Sequence, residues 1–139
     1  LTSLGLSIKL LERHGWMATN VQRSAGRHSF DAYGFGDVLA CKILHGREKR
    51  IMLVQACFDQ DKNRHIKKME DESRVGRWLR CGGLVMLHVW GKRVKPRPDV
   101  VSGWSLVFEL AWVLEIDGKL LRDGKRARLP NMWHDRIKP

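Results

Sequence analysis

Cysteine is scarce in this chain and poorly spaced for cross-linking. Its 139 residues include three, Cys41, Cys57 and Cys81, separated by 16 and 24 positions. An odd number at such spacings is no disulfide framework, and no C-x-x-C pair is present to seed a zinc site. The expected role of all three is as small buried residues in a reducing cytoplasm. The six histidines, at 14, 28, 45, 65, 88 and 134, are scattered as well, so a structural zinc site is not expected. No run of about 18 apolar residues occurs, which excludes a membrane-spanning helix. Thr2, Ser3, Ser7 and Lys9 interrupt the first apolar residues, so these do not read as a signal peptide. There is no internal repeat and no low-complexity run. What is present suits one globular domain: 43% hydrophobic and 29% charged residues, enough to argue against disorder.

Acidic residues are the other deficit. Twenty-six Lys and Arg against fifteen Asp and Glu leave a net charge of +11. Residues 42–97 hold fifteen basic and six acidic side chains, a net +9, and residues 119–139 a further +5, whereas residues 98–118 stand at −4. A field of this sign draws polyanions, and nucleic acid is the commonest polyanion a soluble domain meets. A surface kept basic for solubility, or for an acidic protein partner, is the competing explanation.

Leu4, Ile8, Leu10 and Leu11 recur at helical spacing, and Gly15 follows as a stop, so a helix is predicted over residues 3–14. A short strand is expected from Trp16 to Val21, then a loop around Ser24, Gly26 and Ser29. Val38–Leu44 and Ile51–Phe58 are apolar runs of strand length, joined by a basic turn at Gly46–Arg50. The polar stretch Asp59–Arg80 reads as one helix ended by Gly82 and Gly83. Leu84–Trp90, apolar apart from His88, reads as a strand buried on both faces. A basic loop runs from Lys92 to Pro98, and Trp104–Ile116 alternates with period two as a long strand does. The expected fold is α/β, a mixed central β-sheet flanked by helices, over residues 1–118, with a basic C-terminal extension over 119–139.

Two segments carry chemistry together. Gly34-Phe35-Gly36-Asp37-Val38-Leu39-Ala40 places an acid at the mouth of an apolar strand, and Ile51-Met52-Leu53-Val54-Gln55-Ala56-Cys57 places an amide inside another. Buried without partners, both groups would be costly. Taken singly, Asp37 capping a turn and Gln55 bonding a neighbouring backbone are adequate explanations. Taken together, with the preceding helix that carries Glu12, they resemble the PD-(D/E)xK nuclease superfamily, including archaeal-type Holliday-junction resolvases. Tyr33-Gly34-Phe35-Gly36-Asp37, Leu53-Val54-Gln55, the helix with Arg64 and Lys67, and Leu87-His88-Val89-Trp90-Gly91-Lys92-Arg93 also resemble small phage proteins assigned to that superfamily.

The resemblance implies a restriction-endonuclease-like core and a Mg2+- or Mn2+-dependent deoxyribonuclease acting on double-stranded, branched or nicked DNA. It also implies a homodimer, located in the host cytoplasm if phage-encoded. By position, Glu12 matches the helix acid, Asp37 the central aspartate and Gln55 the Glu of E-x-K, and these three would hold the metal. Cys57 stands where the Lys belongs and supplies no ammonium, so Lys67 or Lys68 on the following helix is expected to replace it, with Lys67 assigned the catalytic role. Arg64, Lys67, Lys68, Lys92, Arg93, Lys95 and Arg97 are the candidate DNA contacts. Trp104–Ile116 is a candidate subunit interface. The alternative is a nuclease-like domain without catalysis that serves as a DNA-binding or phage-assembly protein; a third reading is a basic protein-interaction module.

Overall fold

The computed structural model describes residues 2–43, 48–92, 100–114 and 120–123, without the side chains of 113, 114 and 120–123. Helix α1 (Ser3–Arg13) opens with Thr2 as its N-cap, whose hydroxyl accepts from the Gly5 amide at 3.0 Å. Strand β1 (Met17–Asn20) follows, then a small hairpin of β2 (Arg23–Ala25) and β3 (His28–Phe30) in the segment expected to be a loop. Every residue of that hairpin is exposed, so it leaves no apolar pattern for a sequence reading to find. Strands β4 (Val38–Ile43) and β5 (Lys49–Phe58) pair antiparallel.

The stretch read as a single helix is broken. A 3-10 turn (Asp59–Asp61) leads into α2 (Lys62–Asp71), and α3 (Ser73–Arg80) starts afresh after Glu72. Glu72 is extended, at φ −86° and ψ 109°, and its carboxylate accepts from the Arg74 amide, so it caps α3. Strand β6 (Leu84–Gly91) then runs parallel to β5, which makes α2 and α3 the crossover. Strands β7 (Val100–Val101), β8 (Trp104–Leu114) and β9 (Leu120–Asp123) complete the chain's described elements.

Seven of these strands form one mixed sheet, ordered β1-β4-β5-β6-β8-β7, with β9 also paired to β8. The architecture is α/β. The domain boundary expected at residue 118 therefore precedes a strand of the main sheet.

Both faces of the sheet are covered, and period-two alternation decides which side chain goes where. On one face Val38, Ala40, Met52, Val54 and Met86 pack with Leu11 of α1 and with Trp16. On the other, Leu53, Cys57, Val85, Leu87 and Val89 pack with Phe35, Ile66, Met69 and Val75, joining α2 and α3 to the sheet. Each of these larger aliphatic side chains contributes about 1.5–3 kcal/mol by leaving water. Leu106, Leu110 and Trp112 of β8 are likewise buried within this chain, so the stretch expected to offer a subunit interface spends these side chains on its own core.

One polar cluster lies in that interior. Ser7 Oγ accepts from Trp90 Nε1 at 2.9 Å and meets His88 Nδ1 at 3.0 Å, while His88 Nε2 lies 3.3 Å from Glu109 Oε1. All four residues are fully buried, so the cluster fixes α1 against β6 and β8 and has no route to a substrate.

Candidate functional site

The site begins with a tight turn. Ala32 and Gly36 exchange backbone hydrogen bonds of 2.8 and 2.9 Å, and Phe35 N donates to Ala32 O at 3.1 Å. Tyr33 and Gly34, at φ 53° and 79°, occupy the two central positions, the signature of a type I′ turn. Glycine suits the second of these, and a Cβ there would also strike the Glu72 carboxylate. Phe35 is completely buried and pins the turn to the core. One step outward from the Ala32–Gly36 bridge, Asp31 and Asp37 are brought opposite each other.

The β4–β5 register supplies the next group. Val38 faces Val54, so Asp37 lies beside Gln55 one step further on, with Asp37 N donating to Val54 O at 2.9 Å. Gln55 Nε2 donates to Asp37 Oδ2, which also accepts from Ala56 N at 3.0 Å. Gln22 Nε2 bridges the carboxylates, 3.0 Å from Asp31 Oδ1 and 3.2 Å from Asp37 Oδ1. From α2, Lys68 Nζ donates to Asp31 Oδ2 and to Gln55 Oε1, the latter at 3.2 Å. These groups line an open cleft of about 270 Å3, with Ser29, His65 and the first residues of α1 completing its walls.

Crowding two carboxylates in a buried setting separates their acidities. Burial, reinforced by the hydrogen-bonded charge of Asp31, pushes Asp37 up to about 8. Burial also acts to raise Asp31, but hydrogen bonds from Asp37, Lys68 and Gln22, with the charge of Lys68, outweigh it and hold Asp31 near 2. At neutral pH the pair thus keeps one proton and one negative charge, balanced by Lys68. His65 is driven downward by burial and by the charges of Lys68 and Arg64, so it stands neutral at the cleft. Its Nδ1 is buried with no hydrogen-bond partner among the described residues.

The residues singled out in the sequence divide sharply. Asp37, Gln55 and Lys68 meet at the cleft. Glu12 does not: α1 presents its N-terminus to the cleft, and Glu12 is exposed near the other end, roughly 13 Å along the helix axis. Asp31 provides the second carboxylate. Lys67, one residue from Lys68 but about 100° around the helix, is exposed and bonds Asp71 at 2.9 Å. Lys68, and not Lys67, is the lysine that reaches the cleft. Cys57 is buried among Leu53, Ile66 and Val89, and burial pushes its thiol up to about 12, so it packs and does not ionise.

Among the candidate DNA contacts, Arg64 is exposed beside Asp61, and Lys92 lies over the Trp104 ring at 5.1 Å. Arg93, Lys95 and Arg97 fall outside the described residues. Asp31, Gln22 and His65 were not anticipated. For Asp31 a signal existed, because a Tyr-Gly turn centred between positions 31 and 37 aligns them in a hairpin.

The chain matches no protein-family model, no curated protein and no solved structure. Among the described residues no group of three or more His, Cys, Asp and Glu side chains is arranged to hold a metal ion, and no helix is long and apolar enough to cross a membrane. The donor set at the cleft is instead two carboxylates and one amide, all hard oxygen ligands.

Proposed function

We propose that this chain is a metal-dependent DNA endonuclease of the PD-(D/E)xK type, hydrolysing phosphodiesters in double-stranded, branched or nicked DNA. The observation that carries the reading is the convergence of Asp37, Asp31, Gln55 and Lys68, from a turn, a strand and a crossover helix, at one open polar cleft. A restriction-endonuclease-like core accords with the order of elements, in which the acid and the amide sit on antiparallel neighbours and the parallel crossover delivers the lysine.

The residues fit a magnesium ion. Hard oxygen donors suit it, and one or two carboxylates suffice because it keeps several waters. Asp31, Asp37 and the Gln55 Oε1 oxygen would hold it, replacing the proton now shared by the two aspartates. When bound, such a cation neutralises the scissile phosphate and lowers the pKa of water. Lys68, whose ammonium lies at the same oxygens, would supply a positive charge beside the phosphate to stabilise the transition state. His65 lines the same cleft in its neutral form. The net +9 of residues 42–97 supplies the attraction for the DNA backbone.

The test is nicking of supercoiled plasmid. Cleavage is expected with Mg2+ or Mn2+, and loss of cleavage with EDTA or in Asp37→Asn. A second reading, the DNA-binding or phage-assembly protein without catalysis, is favoured by one feature: the Gln55 amide gives the site one negative charge fewer than a Glu would. Retention of duplex DNA with no nicking in either metal would select it. Absence of DNA binding at low salt would remove both and leave the protein-interaction module.

A further inference from the structure

A second concavity, of about 430 Å3, is lined by Tyr33 of the same turn and by Arg74, Arg77, Trp78 and Cys81. We propose that it is a nucleobase subsite, which takes an unpaired base of the DNA whose phosphate lies at the Asp31–Asp37 cleft. The inference rests on the nuclease reading and narrows its substrate to DNA with an extruded or unpaired nucleotide, at a gap, flap or branch.

Tyr33 is 55% exposed, a large ring displayed at a turn position that glycine or asparagine would fill with less strain. Its ring centroid lies 6.0 Å from that of Trp78, with the planes inclined at 39°. Trp78 is held in place, since its Nε1 donates to Leu84 O at 2.8 Å and its indole fills the space beside Gly83. Trp78 is thus a fixed apolar surface, and the displayed Tyr33 ring extends it. Beside it Arg74 is engaged by Glu72 at 2.8 Å, whereas Arg77 is exposed and forms no ion pair among the described residues. An aromatic platform next to a free guanidinium is what a single unstacked nucleotide requires: a ring for the base and a cation for its phosphate. Bases inside an intact duplex offer no such face. The same turn carries Tyr33 on one side and the two aspartates at its base, so base and scissile phosphate would be neighbours on one strand.

The test is binding in EDTA, by fluorescence anisotropy, of a duplex with a one-nucleotide gap opposite 2-aminopurine and of the same duplex with an abasic residue there. The base-bearing DNA is expected to bind about 5- to 150-fold tighter, the range of one base–aromatic stack. Its 2-aminopurine emission should be quenched on binding. Tyr33→Leu should erase both the preference and the quenching, and Tyr33→Phe should keep them. Arg77→Gln should weaken both DNAs by the same factor. Equal affinity of the parent protein for base-bearing and abasic DNA would overturn the subsite and leave the groove to a protein partner, with metal-dependent nicking untouched. Failure to bind either DNA at low salt would overturn the subsite and the nuclease reading together.

Discussion

Replacing Asp37 by Asn fixes as neutral a group that the folded protein keeps protonated until about pH 8 and the unfolded chain releases near 3.8. Between those values the folded parent holds one proton more than the unfolded chain, so its stability falls as pH rises. The slope is about 1.4 kcal/mol per pH unit, or about 3 kcal/mol from pH 5 to pH 7. Asp31 acts in the opposite sense: held near 2, it adds stability above its unfolded value that is lost as pH falls toward 2, below the window of interest. His65, lowered by burial, makes stability rise with pH up to its unfolded value, in parent and variant alike. The difference between the two proteins therefore isolates Asp37. The asparagine can donate to Asp31 in place of the lost proton, and its oxygen can accept from Ala56 N and Gln55 Nε2. Urea unfolding in EDTA at pH 5, 6 and 7, followed by far-ultraviolet circular dichroism, should show the variant gaining on the parent by about 1.4 kcal/mol per unit. Saturating Mg2+ should flatten the parent's slope toward the variant's, because a cation takes the place of the proton. Parallel stability curves for the two proteins would refute the shared-proton description of the site.

Lys68→Met should lower the nicking rate by about 10^2–10^3-fold. By removing a cation that competes for the same oxygens, it should also tighten Mg2+ binding in titration calorimetry. Lys67→Met should leave both unchanged, since that ammonium is exposed and bonds only Asp71. Cys57→Ala should cost about 1 kcal/mol with no change in nicking rate, whereas Cys57→Lys should cost several kcal/mol in chemical denaturation, because the ammonium would lie among Leu53, Ile66 and Val89. Phe35→Ala should cost about 3–5 kcal/mol and expose the 31–37 turn to proteolysis, since that ring is the turn's anchor in the core.

The main strands and the first helix were legible because their apolar residues repeat with clear periods. The break between α2 and α3 was not, although Asp71 and Ser73 are residue types that favour caps; the residue that caps α3, Glu72, is a helix former, no Gly or Pro marks the position, and helical spacing of Ile66, Met69 and Leu79 bridges it. Asp37 and Gln55 stood out because a polar group in an apolar strand demands a partner. Glu12 was placed at the site by analogy of position along a helix, and the direction in which that helix enters the cleft decides against it. Lys67 and Lys68 are adjacent in sequence, and only the packing of Ile66 and Met69 against the sheet determines which of them turns inward. Gln22 and His65 carry no local pattern at all, because they reach the cleft through tertiary contacts alone.

The turn between Asp31 and Asp37 also makes the carboxylate pair subject to a rule of parity. Side chains on a paired backbone alternate faces with a period of two. Adding or removing one residue on one arm would send one carboxylate to the opposite side of the ribbon. Gln22 could then no longer bridge the two aspartates, nor could Lys68 serve the pair from α2. Matched changes, one residue on each arm, would preserve the facing. Length variation in this segment is thus tolerated by twos, and an acid pair at even separation around a Gly-containing turn is the imprint of the site in a sequence.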